Sequence, residues 1–230
     1  MKVILVTVIL SLVFLPPAAY STNFDGRSDN ADATENIDIV ALELAAMGRR
    51  GEIVADARER TLALLLNNDA CAEWFQESNP DTANVFRSLH YTIEDAQPAY
   101  TLRKLDDRGH PWLKNPWAAH SIQYGGQQST VNLNINGPFF RIMSPVHDVD
   151  RLRSVGHAID HTRLGVASFQ GDTAEAQVTI LLHELGHVVG RLPLDTDSWD
   201  GQSSRNTAEV LRHCKPGIHE VAQKNWQRGN

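Results

Sequence analysis

The chain begins with an almost unbroken apolar run, Val3 to Leu15, behind Met1 and Lys2 and ahead of Pro16-Pro17. The run is shorter than the roughly 20 residues a membrane-spanning helix needs. Ala19 and Ser21 supply the small residues of a signal-peptidase site, so residues 1–21 read as a signal peptide cleaved after Ser21. The rival reading is an uncleaved anchor. Residues 22–34 are polar and read as a disordered leader.

Helical spacing of Ile37, Val40, Leu44 and Met47 then predicts a helix over 35–50, stopped by Gly51. Further helical stretches are predicted over 53–66 and 69–77, the latter ending at Asn79-Pro80. From Tyr91 to Pro116 the pattern is weak, with turns at Pro98, Gly109-His110-Pro111 and Asn115-Pro116. Residues 118–141 predict a β-hairpin: Ser121 to Tyr124, then Gly125-Gly126, then Thr130 to Asn136. In the second strand Val131, Leu133 and Ile135 alternate with Asn132, Asn134 and Asn136, which gives one buried and one wet face. Residues 144–171 read as irregular.

A strong helix follows over 173–192, with Asp172 as its N-cap and Glu175 three residues on. Two shorter helices are expected over 205–213 and 217–226. The order implies an α+β fold, rich in helix, with a small mixed or antiparallel sheet. Residues 22–97 form an N-terminal helical region, either part of the same domain or a pro-segment, and 98–230 a catalytic region.

Charge and cysteine content narrow the function classes. The 230 residues carry 21 Lys+Arg against 28 Asp+Glu, a formal charge of −7, with no basic stripe. Binding to a nucleic-acid backbone is therefore not expected, nor is membrane association once the signal peptide is removed. An exported chain meets an oxidising compartment, where Cys71 and Cys214 would pair as a disulfide. The alternative is Cys71 as a thiolate capping a metal in a latent form.

The chemistry lies in the 173–192 helix, which contains His183-Glu184-Leu185-Gly186-His187. Val178, Leu182, Leu185, Val189 and Leu192 form its apolar stripe. His183 and His187, four apart, project from one helix face away from that stripe, and Gly190 falls one further turn along it. Two imidazoles so placed bind Zn2+, the metal acidifies its water, and Glu184 takes the proton.

Residues 181–190, LLHELGHVVG, resemble the active-site helix of zincin metallopeptidases, and the Gly at position 190 is similar to the metzincin pattern. Where metzincins place their third ligand this sequence has Pro193, which cannot ligate. The stretch from HELGHVVGRLPLD to NTAEVLRHC is also similar to secreted bacterial proteins with the same helix and a C-terminal cysteine. The resemblance implies a zincin-like fold and a third ligand. Asp195, on the turn after Gly190, is the first candidate. Glu209 is the rival at gluzincin-like separation, although Asn206 and Glu209 also fit an N-cap and its partner. His213 and Asp197 are further candidates.

The resemblance further implies an edge strand that holds extended substrate, for which Val131–Ile135 is the candidate. Tyr91, Tyr100 or Tyr124 could polarise an oxyanion. His157 and His161 are also four apart, but lack a helical stripe and an adjacent Glu. The expected function is an exported zinc metallopeptidase acting on a peptide or protein substrate. The alternative is a non-catalytic, metal-stabilised exported binding protein.

Overall fold

A computed structural model describes residues 38–67, 69–105, 111–148, 160–196 and 201–224. The expected signal peptide and polar leader lie outside the described residues, as do His157 and Asp197.

Four helices come first: α1 (Ile39–Ala46), α2 (Arg49–Leu66), α3 (Ala70–Gln76) and α4 (Thr82–Arg87). Asp38 starts α1 by accepting from the Ala41 amide, and Asp69 starts α3 by accepting from the amides of Cys71 and Ala72. Such caps satisfy helix-end donors that have no partner within the helix. The expected stop at Gly51 falls instead at Met47-Gly48, where Gly48 takes φ +60°. Gly51 lies inside α2 for a packing reason: a Cβ there would stand 1.7 Å from the Leu44 carbonyl oxygen.

The middle of the chain carries more strand than its pattern announces. β1 (His90–Glu94), β4 (Ala119–Ser121) and β5 (Thr130–Asn134) form a three-stranded sheet in the order β1-β5-β4, parallel across β1/β5 and antiparallel across β5/β4. The hairpin is therefore present, with its first strand at Ala119–Ser121 rather than Ser121 to Tyr124, and Val131 and Leu133 are buried as its alternation predicts. Asn134 departs from that alternation; it is buried, with its amide donating to the Trp117 carbonyl. β5 lies between two strands, which overturns its reading as an edge. The edge beside the site is β4.

A second sheet, in the order β3-β2-β6-β7, joins β2 (Ala99–Leu105), β3 (Pro111–Lys114), β6 (Met143–Asp148) and β7 (Asp160–Arg163). β8 (Gly165–Val166) and β9 (Phe169–Gln170) make a small antiparallel pair. Residues 144–171 are thus not irregular where they are described. Ser144, buried in β6, shows why the pattern was weak: a polar side chain sits inside because its hydroxyl accepts from the Ala99 amide.

α5 (Ala174–Val188) and α6 (Gln202–Gln223) complete the α+β fold. α5 packs against α2, α6, β4 and the β8–β9 pair. One apolar cluster runs from Val40 in α1 through Phe75, Phe86, Leu133 and Leu182 to Val221 in α6. Cys71 and Cys214 form a disulfide across 143 residues of sequence, joining α3 to α6, which removes the reading of Cys71 as a metal-capping thiolate. α6 is one helix rather than two. Pro216 removes one backbone donor, but Val210, Cys214, Ile218 and Val221 keep a continuous buried stripe across it. Among the described residues, no helix is long and apolar enough to cross a membrane.

Candidate metal centre

α5 starts at Thr173, whose hydroxyl accepts from the Ala176 amide; Asp172, the expected cap, takes φ +58° instead. The amphipathic expectation for this helix also needs correcting. Every residue from Ala176 to Val188 is buried, so the face opposite the apolar stripe is covered too. His183, Glu184 and His187 are 6%, 4% and 4% exposed. Ionisable groups taken out of water cost several kcal/mol each unless partnered. The site is therefore best read by asking what partners them.

The helix end brings in the third member. Gly190, at φ +71°, closes α5 with its amide donating to the His187 carbonyl and the Arg191 amide donating to the Gly186 carbonyl. This is a Schellman ending, and it turns the chain back along the helix. A Cβ at Gly190 would also stand 2.0 Å from the ring of Tyr124, whose own amide donates to the His187 carbonyl. The reversed chain carries Asp195 over the two imidazoles.

Asp195 Oδ2 lies 3.0 Å from His183 Nε2, and Asp195 Oδ1 lies 3.5 Å from His187 Nε2. The two Nε2 atoms are 3.0 Å apart. Donors around a tetrahedral ion at about 2.0–2.1 Å stand about 3.3 Å from one another, close to these separations.

The hydrogen bonds behind these atoms fix how the His183 ring and the Asp195 carboxylate are turned. Thr207 Oγ1, on α6, donates its one proton to the Ser203 carbonyl at 3.0 Å. It must therefore accept from His183 Nδ1, 3.0 Å away, which turns His183 Nε2 toward His187 and Asp195. Asn206, 2% exposed, donates to Asp195 Oδ1 at 2.6 Å and to the Pro193 carbonyl at 2.8 Å. Burial opposes ionisation of Asp195, but its hydrogen bonds to His183 and His187 prevail and hold the carboxyl far below the usual carboxylate range. Either a proton or a metal ion between His183 Nε2 and the carboxylate satisfies both groups at this 3.0 Å separation. His187 Nδ1 is buried without a hydrogen-bond partner, so its ring is not tied up elsewhere. This donor set fits a metal ion.

Glu184 is held apart from the three donors. Ser121 Oγ, on β4, is 2.8 Å from Glu184 Oε2 and 3.1 Å from the Glu184 carbonyl. Burial raises the proton affinity of this carboxylate, partly offset by the nearby histidines and the Ser121 hydrogen bond. Two clefts, of about 360 and 440 Å³, adjoin it, and both are bordered by Glu184 and Asp195.

The other expected residues lie elsewhere. Glu209 pairs with Arg212 and faces His213 at 3.5 Å, while the His213 ring stacks on Trp74 at 4.8 Å. Neither is in the His183–His187–Asp195 cluster, and the stack on Trp74 places His213 where α6 meets α3. Asn206 is an interior helix residue gripping Asp195, not an N-cap. Tyr91 is buried in the core, Tyr100 lies in β2 and Tyr124 packs on Gly190; none borders either cleft. Of the second histidine pair, only His161 is described. It lies on strand β7 rather than a helix. Sequence reading missed Ser121 and Thr207, because their partners lie 63 and 24 residues away and no local spacing marks them. No protein-family model, curated protein or solved structure matches the chain.

Proposed function

We propose that the protein is an exported zinc-dependent hydrolase of zincin-like fold that cleaves peptide bonds. One observation carries the reading: His183 Nε2, His187 Nε2 and the Asp195 carboxylate converge at 3.0–3.5 Å beside a buried Glu184, where two clefts meet. Two imidazoles and one carboxylate suit zinc better than a harder or softer ion. When bound, such an ion supplies an acidified water and polarises a carbonyl.

The chain's own residues supply the rest. Thr207 and Asn206 orient His183 and Asp195, and Ser121 anchors Glu184 through Oε2. Glu184 accepts a proton from water and passes it to the leaving amine, a task its burial-raised proton affinity favours. β4 pairs only with β5 among the described residues, which leaves its outer edge for main-chain pairing with extended substrate. The disulfide and the apolar N-terminal run agree with export.

A closed structural site would need a fourth protein ligand. The two described candidates, Glu209 and His213, are engaged with Arg212 and Trp74. The test is Glu184→Gln assayed on denatured casein. The variant is expected to keep its metal and lose more than about a hundredfold in hydrolysis. Unchanged hydrolysis would overturn the mechanism.

A further inference from the structure

The loop that carries Asp195 is fastened at both ends. One end meets α6, where Asn206 donates to the Pro193 carbonyl and to Asp195 Oδ1. The other begins at Arg191, whose amide donates to the Gly186 carbonyl and whose side chain reaches the end of α3. Arg191 Nη2 stands 2.5 Å from Glu77 Oε2, and Nη1 stands 3.5 Å from Ser78 Oγ. The guanidinium carbon lies 4.8 Å from the centre of the Trp74 ring. An exposed ion pair holds little by itself, because water and salt screen it. Here the Glu77 side chain is 64% exposed, whereas Arg191 is 24% and Trp74 only 4%. The aromatic ring therefore does much of the holding: a flat guanidinium can lie on it while its edge still bonds Glu77.

Trp74 is in turn tied to α6. The His213 ring lies parallel to it within 9°, at 4.8 Å, and the next residue, Cys214, is bonded to Cys71 one turn earlier on α3. Loop, α3 and α6 thus close a circuit: Asp195 to Asn206, α6 to α3 through Cys214 and His213, and α3 back to the loop through Arg191. Only three residues separate Arg191 from Asp195. Of these Leu192 is buried with its carbonyl accepting from Gln123, and Pro193 has a fixed φ. So little slack remains that a displacement at Arg191 passes on to Asp195. Arg191 borders neither cleft and acts only through the loop.

Resting on the metal-centre reading above, we infer that Arg191 is a positioning residue: seated on Trp74 and bonded to Glu77, it holds Asp195 over the two imidazoles. The experiment measures zinc affinity by competition with a chromogenic chelator. It compares Arg191→Met and Arg191→Lys, each made with Asp195 intact and with Asp195→Ala. Arg191→Met should weaken zinc binding roughly fivefold, less than loss of a group that bonds a ligand directly. Arg191→Lys should recover part of this, since an ammonium keeps the charge but not the flat stack. With Asp195→Ala present, Arg191→Met should cause no further loss.

A residue that merely supports the fold would weaken zinc by the same factor with or without Asp195, and that result would overturn the inference. Glu77→Gln, at an exposed position, decides the matter if Arg191→Met does not fold. It should weaken zinc about twofold, again only while Asp195 is present. Unchanged affinity in the deciding variant would overturn the inference and leave the zinc site standing. Wild-type protein that binds no zinc would overturn both.

Discussion

Two histidines and one aspartate reach the same point by different routes. His183 and His187 are carried by a helix buried on every side, and their spacing is set by backbone geometry that the whole core enforces. Asp195 comes from a loop, its side chain 35% exposed, and is held by α6 through Asn206 and by the Gly190 turn behind it. Two donors are placed by packing and the third by hydrogen bonds. The helix donors should therefore survive perturbations that dislodge the loop donor.

The largest effect should come from removing the brace on α6. Cys71→Ser with Cys214→Ser opens a 143-residue closure, worth about 5 kcal/mol in the chain-entropy model. Denaturant unfolding should show that loss; a shift below about 1 kcal/mol would mean that packing alone seats α6. Leu182→Ala, at a fully buried position of α5, should cost about 3 kcal/mol in stability through the cavity it leaves. Metal should still bind the folded fraction, which calorimetry with zinc can check.

Gly190→Ala should cost roughly 2 kcal/mol, from strain at φ +71° and contact with Tyr124. Unlike Leu182→Ala it should weaken metal binding, because it shifts the turn that carries Asp195. Equal metal affinity in the two variants would erase the contrast between helix and loop donors. Thr207→Val removes the acceptor behind His183 and should lower metal affinity by about tenfold with little change in stability. Ser121→Ala should be the mildest, leaving metal and stability intact and lowering kcat by roughly tenfold through a less well-held Glu184. A change in KM alone would place Ser121 in substrate binding instead.

The same contrast explains what the sequence disclosed. Helix α5 is legible because its chemistry and its periodicity are both local, and Asp195 because it follows the helix stop by a few residues. The strands of the β3-β2-β6-β7 sheet were not, since segments such as MSPVHD bury a serine satisfied by a distant backbone amide rather than an apolar residue. Two helices were expected over 205–213 and 217–226, but tertiary burial on both sides of Pro216 outweighs one lost hydrogen bond and keeps α6 whole. Asn206 looked like a cap because its residue type serves caps and carboxylate grips equally well. Glu209 had the spacing of a ligand, yet its carboxylate pairs with Arg212 and lies outside the cluster.

The central claim is that His183, His187 and Asp195 hold one metal ion. It is tested most directly by elemental mass spectrometry of the purified protein after zinc loading and gel filtration, beside His187→Ala and Asp195→Ala. The account predicts one zinc per chain, none retained by His187→Ala, and partial retention by Asp195→Ala, since the two helix donors outlast the loop donor. A chain that retains no metal, or that retains it equally in all three proteins, would contradict it.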